Sequence, residues 1–436
     1  MSETSHPDRP MRLQPSDPGA GRLWEQSTGR LEELARRIRS SDSSRPDPGE
    51  LGLPGLVASA PVLGALDRMG RHEETAQVLK GYRSVQRWGG EFRVAGEGPA
   101  STGAGIWSLV DHARVTEDLD YLQGVYRRIR RGLRWLERTR TPDGAARFAG
   151  LMPSGTAEEG PERPLQRYRA SFWAMAGAQE AARAATVLHH RGLQHEGEAL
   201  FHELSRALKK ALAREEGEEG SPFLGPGPGI EEPGARDPVS DILLSVVCSE
   251  VFPPDYAPLA RTLEELIGPA RSSLPHAAIT GHQLLRRGDP RVWELVDHLA
   301  SPDAPGRGEE LTAVDAALLF WLLRALHLND GRTILLLAPG YALRPLAEGG
   351  ETVVEEAPSL HGPVSYRLSR RGELFQLEWA HLERHAPENF IWPLPGRVYR
   401  VEPPRISLTD SRMAIRLDPA GGRLEVELVP GTFPTL

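Results

Sequence analysis

Eight acidic residues fall in or beside segments that connect apolar-periodic stretches: Glu91, Glu97, Glu158, Glu159, Asp237, Asp241, Glu309 and Glu310. Two carboxylates flanking one bond perform acid–base hydrolysis, in which a neutral acid protonates the leaving oxygen while an anion activates water or attacks carbon. Glycosidic bonds are usually cleaved in this way, and an inverting pair stands roughly 6.5–9.5 Å apart to admit the water. Glu159 as acid and Glu310 as base form the preferred pair, because each precedes a helix on the side of the long connections. The competing account is that loop glutamates are solvated and that acids before a helix serve its dipole and cap.

Sugar rings present apolar C–H faces that stack on flat side chains, so aromatic residues near those carboxylates carry the second half of the argument. Trp88, Trp107, Tyr168 and Trp173 fall at or just inside the same end of the helices. Trp107 and Trp173 also fit core positions at helical spacing, whereas Trp88 and Tyr168 suit a pocket wall. Glu91, Arg93 and Arg169 complete the candidate binding set; each arginine could hold a hydroxyl or an anionic group, or form a surface ion pair. His112, His276 and His282 lie within helical stretches, and the spacing of the last two does not put them on one helix face, which argues against a histidine acid–base pair. The single cysteine, Cys248, sits in the apolar run 242–251, which excludes an intramolecular disulfide and reads as a buried thiol. No zinc-ligand spacing occurs, and no cofactor is expected. In Gly225-Pro226-Gly227-Pro228-Gly229 the prolines remove the amides that a phosphate cradle needs, so this segment reads as an acidic, mobile lid or linker.

The elements that must position these residues follow from periodicity. Twelve amphipathic helices are expected, near 22–40, 54–69, 72–86, 102–115, 118–140, 166–187, 193–214, 238–251, 255–267, 274–286, 290–300 and 311–328. Their connections tend to alternate between short turns, such as Gly70-Arg71 and Gly288-Asp289, and longer loops. That alternation gathers the long loops at one end of a closed ring of helical hairpins, where binding and chemistry are usually placed; no fixed period near 34 residues supports a solenoid instead. After the turn Asn329-Asp330-Gly331, short β-type runs begin near 333, 352, 364, 374, 390, 398, 413 and 424. The alternation of Phe375, Leu377 and Trp379 with Gln376 and Glu378 predicts an antiparallel sandwich. The reading is therefore a mainly α chain: a disordered tail over 1–21, an (α/α)6 toroid over 22–328 and a C-terminal β-sandwich over 329–436.

Composition is that of a folded protein, with 39% hydrophobic and 26% charged residues. A net charge of −8 argues against nucleic acid as a partner. The basic cluster Arg127, Arg128, Arg130, Arg131 and Arg134 alternates with Ile129, Leu133, Trp135 and Leu136, as the solvated face of an amphipathic helix would. Residues 1–20 lack an apolar segment, so neither a signal peptide nor a membrane span is expected and the cytoplasm is the default location.

Three stretches, taken in order, resemble the bacterial six-hairpin glycosidases, the superfamily of glucoamylase-like and glycogen-debranching-like enzymes. The first runs from Ala65-Leu66-Asp67-Arg68-Met69-Gly70 through Gln86, Gly90 and Phe92 to Ile106-Trp107-Ser108-Leu109, Asp118 and the helix bearing Trp135. The second runs from Gly150-Leu151-Met152-Pro153 through Tyr168 to Phe172-Trp173-Ala174-Met175. The third joins Leu335-Leu336-Leu337-Ala338-Pro339-Gly340 to Ala357-Pro358-Ser359-Leu360-His361-Gly362. The resemblance implies a toroid with a C-terminal β-sandwich acting on an oligosaccharide or glucan. Three departures accompany it: Leu56-Val57-Ala58-Ser59 stands where the family carries an Arg-Asp pair, Gly89-Gly90 where it carries Asp-Gly, and only Glu309-Glu310 remain before the last helix. A catalytically inactive relative that binds a glycan or a protein through the same face is therefore kept as the alternative. A toroidal cyclase or epimerase is disfavoured by the missing zinc and histidine patterns.

Overall fold

The computed structural model describes residues 10–41, 53, 55–94, 97–142, 148–153, 164–219, 253, 256–270, 273–304, 310–331, 333–380, 387–402 and 414–429. The helices are α1 (Pro18–Ser40), α2 (Leu56–Arg68), α3 (His72–Val85), α4 (Pro99–Thr116), α5 (Leu119–Thr139), α6 (Pro164–Val187), α7 (Arg191–Glu219), α8 (Ala257–Ala270), α9 (Leu274–Arg287), α10 (Arg291–Ala300), α11 (Ala313–His327) and the short α12 (Gly340–Leu343). Each expected helix in the described residues is present; the one expected over 238–251 lies outside them, as do Cys248 and the Gly/Pro segment 225–229. Among the described residues, no helix is long and apolar enough to cross a membrane.

Contacts divide the chain into two compact units, one of 33–64 and 73–269 and one of 1–32, 65–72 and 270–436. In the first, α5 shows how pattern becomes packing. Asp118 caps it by accepting the Tyr121 N–H at 2.8 Å, and Leu122, Val125, Ile129, Leu133 and Leu136 turn one stripe inward. Most of its arginines face out; Arg134, and the half-buried Arg140 just past its end, pair with Glu196 and Glu203 of α7 at 2.9 Å each. Helix α4 is buried almost all round, and it lies so close to α6 that a side chain at Gly103 would strike the Trp173 carbonyl.

The second unit holds α9 to α12 and two sheets. The larger has the order β1-β4-β5-β6-β10-β8, built from β1 (Arg12–Gln14), β4 (Glu351–Ala357), β5 (Val364–Arg371), β6 (Leu374–Trp379), β8 (Val398–Glu402) and β10 (Gly422–Leu428), and all its pairs are antiparallel. The smaller has the order β2-β3-β7-β9, from β2 (Leu328–Asp330), β3 (Ile334–Leu337), β7 (Asn389–Pro393) and β9 (Ala414–Arg416). Phe375 and Leu377 are buried as alternation predicted.

Three details differ from expectation. Part of the segment read as a disordered tail forms β1, because Leu13 is buried and the edge of β4 offers backbone partners. Asn329-Asp330, read as a turn, continues β2 straight out of α11, and the chain reverses after it through the Gly331 N–H to Ile334 carbonyl bond. β3 and β7 run parallel. The contact division also differs from a boundary at 328/329, since α9 to α11 group with the strands. A physical reason is the buried Arg324 of α11, which pairs with Asp330 at 2.5 Å and donates to the Pro358 carbonyl at 2.7 Å; likewise Trp293 of α10 donates to the Gly340 carbonyl at 2.8 Å.

Candidate functional site

The segment after α3 makes a tight turn whose tip is Trp88. Gly90 N–H donates to the Arg87 carbonyl at 3.0 Å, Arg87 N–H to the Glu91 carbonyl at 2.7 Å, and Gln86 bridges to Phe92. Phe92 is the anchor: it is fully buried, lies edge-on to Tyr82, donates its N–H to the Thr102 hydroxyl at 3.0 Å and accepts at its carbonyl from Ser101. The other side of the turn rests on α5. Gln86 donates to the Gly90 and Arg128 carbonyls at 3.1 and 3.0 Å, Arg131 donates to Gln86 Oε1 at 3.2 Å, and Arg138 donates to the Gly89 carbonyl at 2.8 Å. Gly90 has φ +109°, and any Cβ there would collide with the Arg131 carbonyl, so glycine is required. Trp88 itself is 95% exposed, held out by this frame. Arg93 is exposed and Glu91 half-buried in the same segment. The roles of Gln86, Arg131 and Arg138 were not foreseen; the arginine face of α5 was the available signal.

Glu97, a candidate carboxylate, has a structural task. Its two oxygens accept the N–H groups of Leu56 at 2.9 Å and Val57 at 3.0 Å, closing the N-terminus of α2 from a buried position. Gly55 before it has φ +139°, and a Cβ there would collide with the same carboxylate. The nearby Tyr82 phenol is pushed well above its ordinary range, first by burial and then by the charge of Glu97, against a lowering contribution from Ser108.

The remaining aromatic candidates are interior. Trp107 and Trp173 meet edge to face at 6.4 Å between ring centroids, and neither offers a face to solvent. Tyr168 is buried and lies edge-on to Phe148; Arg169 beside it is half-buried. The structure thus separates a solvent-facing Trp88 from a buried group of three, for the physical reason that α4 and α6 approach through Gly103 and Gly177 and enclose the rings. His112 is buried against Tyr121 at 4.8 Å, and burial pushes His282 down to about 3. His282 is therefore a poor proton donor at neutral pH.

In the unit that contains the strands, Glu310 is exposed and pairs with Arg30 of α1 at 2.6 Å. It stands three residues before α11, whose own start is closed by a capping box between Thr312 and Asp315. Glu159, Glu158, Asp237, Asp241 and Glu309 lie outside the described residues. Among the described residues, no group of three or more His, Cys, Asp or Glu is arranged to hold a metal ion.

Among the solved structures similar to this chain are rhamnosidases. An α-L-rhamnosidase from Dictyoglumus thermophilum matches 96% of this chain and 50% of its own, at 11% identity and a TM-score of 0.60. The fold is glycosidase-like. A Streptomyces avermitilis α-L-rhamnosidase complexed with L-rhamnose matches 96% of this chain and 42% of its own, at 15% identity and a TM-score of 0.55. A GH78 family rhamnosidase from Bacillus sp. GL1 matches 84% and 40%, at 13% identity and 0.56. The chain spans half or less of the length of each, and identities this low speak to the fold alone. No family model matches the sequence, and comparison with curated proteins finds no match. These neighbours accord with helical hairpins followed by β-structure as the fold class, and they are rhamnosidases rather than glucoamylase-like enzymes.

Proposed function

We propose that this chain is a carbohydrate-active protein of the six-hairpin glycosidase type that binds an oligosaccharide or glycan through the loop end bearing Trp88. The observation that carries the reading is the likeness, over almost the whole chain, to α-L-rhamnosidases, one of them holding a sugar. An exposed, rigidly framed tryptophan supports it, because such a side chain offers a flat apolar face to a sugar ring at little ordering cost.

Hydrolysis would need an acid and a base, and Glu159 and Glu310 are the residues proposed for those roles. A specific observation favours a second reading, binding without turnover. Glu310, the proposed base, is paired with Arg30, and Glu97, another of the loop carboxylates, is engaged by two backbone amides. The two readings separate in one experiment: hydrolysis of aryl glycosides and oligosaccharides, α-L-rhamnosides among them, run beside binding by calorimetry. Turnover abolished in both Glu159→Gln and Glu310→Gln supports the hydrolase. Binding with no turnover, unchanged in both variants, supports the second reading. Neither binding nor turnover refutes both.

A further inference from the structure

The surroundings of Trp88 carry a charge that the rest of the chain does not. In a protein of net charge −8, residues 83–93 hold three arginines against Glu91, and α5 holds six arginines against Asp120 and Glu137. Arg134 is committed to Glu196. Arg131 and Arg138 each spend one terminal nitrogen on the frame of the turn, and a guanidinium has five N–H donors in a rigid fork. Arg87 sits next to Trp88 within the turn and is exposed. A neutral sugar asks its rim for acceptors as well as donors; this rim is almost all donors and positive.

We propose that Trp88 and the arginines around it, Arg87, Arg131 and Arg138, form a subsite for an acidic sugar residue, a uronate. Its ring stacks on the indole and its carboxylate is met by a guanidinium. This rests on the carbohydrate-binding reading above and narrows it to a ligand class. A planar carboxylate matches the guanidinium fork in a two-point contact, and attraction to a positive surface strengthens as salt is lowered. Because the turn is braced by Gly90, Gln86 and Phe92, the tryptophan is already presented, and ligand binding has little backbone to order.

The test is titration of the whole protein with oligoglucuronate and oligogalacturonate, each beside its neutral counterpart, following tryptophan fluorescence and calorimetry at low and moderate salt. Expected is binding of the uronates at least about tenfold tighter than of the neutral sugars, weakening with salt, and lost by about tenfold or more in Trp88→Ala. Arg87→Gln, which removes a guanidinium but none of the side-chain bonds of the frame, should reduce uronate affinity several-fold and neutral-sugar affinity by a smaller factor. An unaltered melting temperature checks that Trp88→Ala is folded. Binding of neutral sugars only, or uronate binding indifferent to Trp88→Ala, overturns the subsite and leaves the carbohydrate reading standing. Heparin, polyphosphate and RNA bound as tightly as uronates, again without regard to Trp88, would reveal plain polyanion attraction and also overturn it. Silence toward every saccharide overturns both.

Discussion

Replacing Glu97 by glutamine removes the charge that closes α2 and leaves one oxygen where two backbone N–H groups, of Leu56 and Val57, now find an acceptor. One of those amides then faces the new NH2 group. A hydrogen bond to a charged partner contributes about 1.5–3 kcal/mol, and an anion at a partly buried helix N-terminus up to about 2 kcal/mol. Relief from burying a carboxylate offsets part of the loss, so the expected net cost is about 2–3 kcal/mol, or a factor of about 30 to 150 in the opening equilibrium. Because a chain with two compact units need not unfold in one step, the proper assay is native-state hydrogen exchange at the first amides of α2. Gly55→Ala supplies the companion measurement. In the native background its Cβ collides with the Glu97 carboxylate as well as straining a φ of +139°. In Glu97→Ala the collision is gone and only the backbone strain remains, so the two substitutions should couple by about 1 kcal/mol or more. Protection at Leu56 and Val57 unchanged within about threefold in Glu97→Gln, together with additive effects of the pair, would refute the capping argument.

Burial pushes His327 down to about 4 and His282 to about 3; for His327 this outweighs the raising effects of the Leu323 carbonyl and Asp17. The unfolded chain therefore takes up protons near 6.5 that the folded chain refuses, so stability is full above that value and falls as pH drops toward 4. His327 alone accounts for about 3 kcal/mol at ~1.4 kcal/mol per pKa unit, and a melting temperature that stays flat between about pH 7 and 4.5 would contradict this. Burial raises Asp330, but Arg324, Arg68 and the Leu360 N–H outweigh it and hold the carboxyl below its ordinary range, so further acidification should cost stability again. Asp330→Asn leaves Arg324 buried without its counter-charge and is expected to destabilise by about 3–5 kcal/mol; a denaturation midpoint matching that of the unmodified protein would count against the pair. Gly103→Ala drives a methyl into the Trp173 carbonyl, and moving α4 off α6 should cost about 1–3 kcal/mol, seen as loss of Trp107 and Trp173 near-ultraviolet dichroism before global unfolding.

Local pattern was enough for the elements. Apolar spacing in Leu122, Val125, Ile129, Leu133 and Leu136 specified α5, and the alternation around Phe375 specified β6, because each depends on neighbours a few positions away. What the elements would do with their polar and aromatic residues was not legible in that way. Helix α4 is enclosed on nearly every side, so its pattern carries no face, and Trp107 reads equally as core or as a binding residue until α6 closes over it. Trp88 is the same residue type with the opposite fate, since the short turn between Gln86 and Phe92 leaves it nowhere to be buried. Glu97 is one acidic loop residue among eight in sequence; only the fold brings it to α2, about forty residues back along the chain. Periodicity and composition thus determined a mainly α chain with β-structure at its C-terminus. Burial, capping and ion pairing were decided by the tertiary structure, because they depend on contacts between residues that local pattern cannot relate.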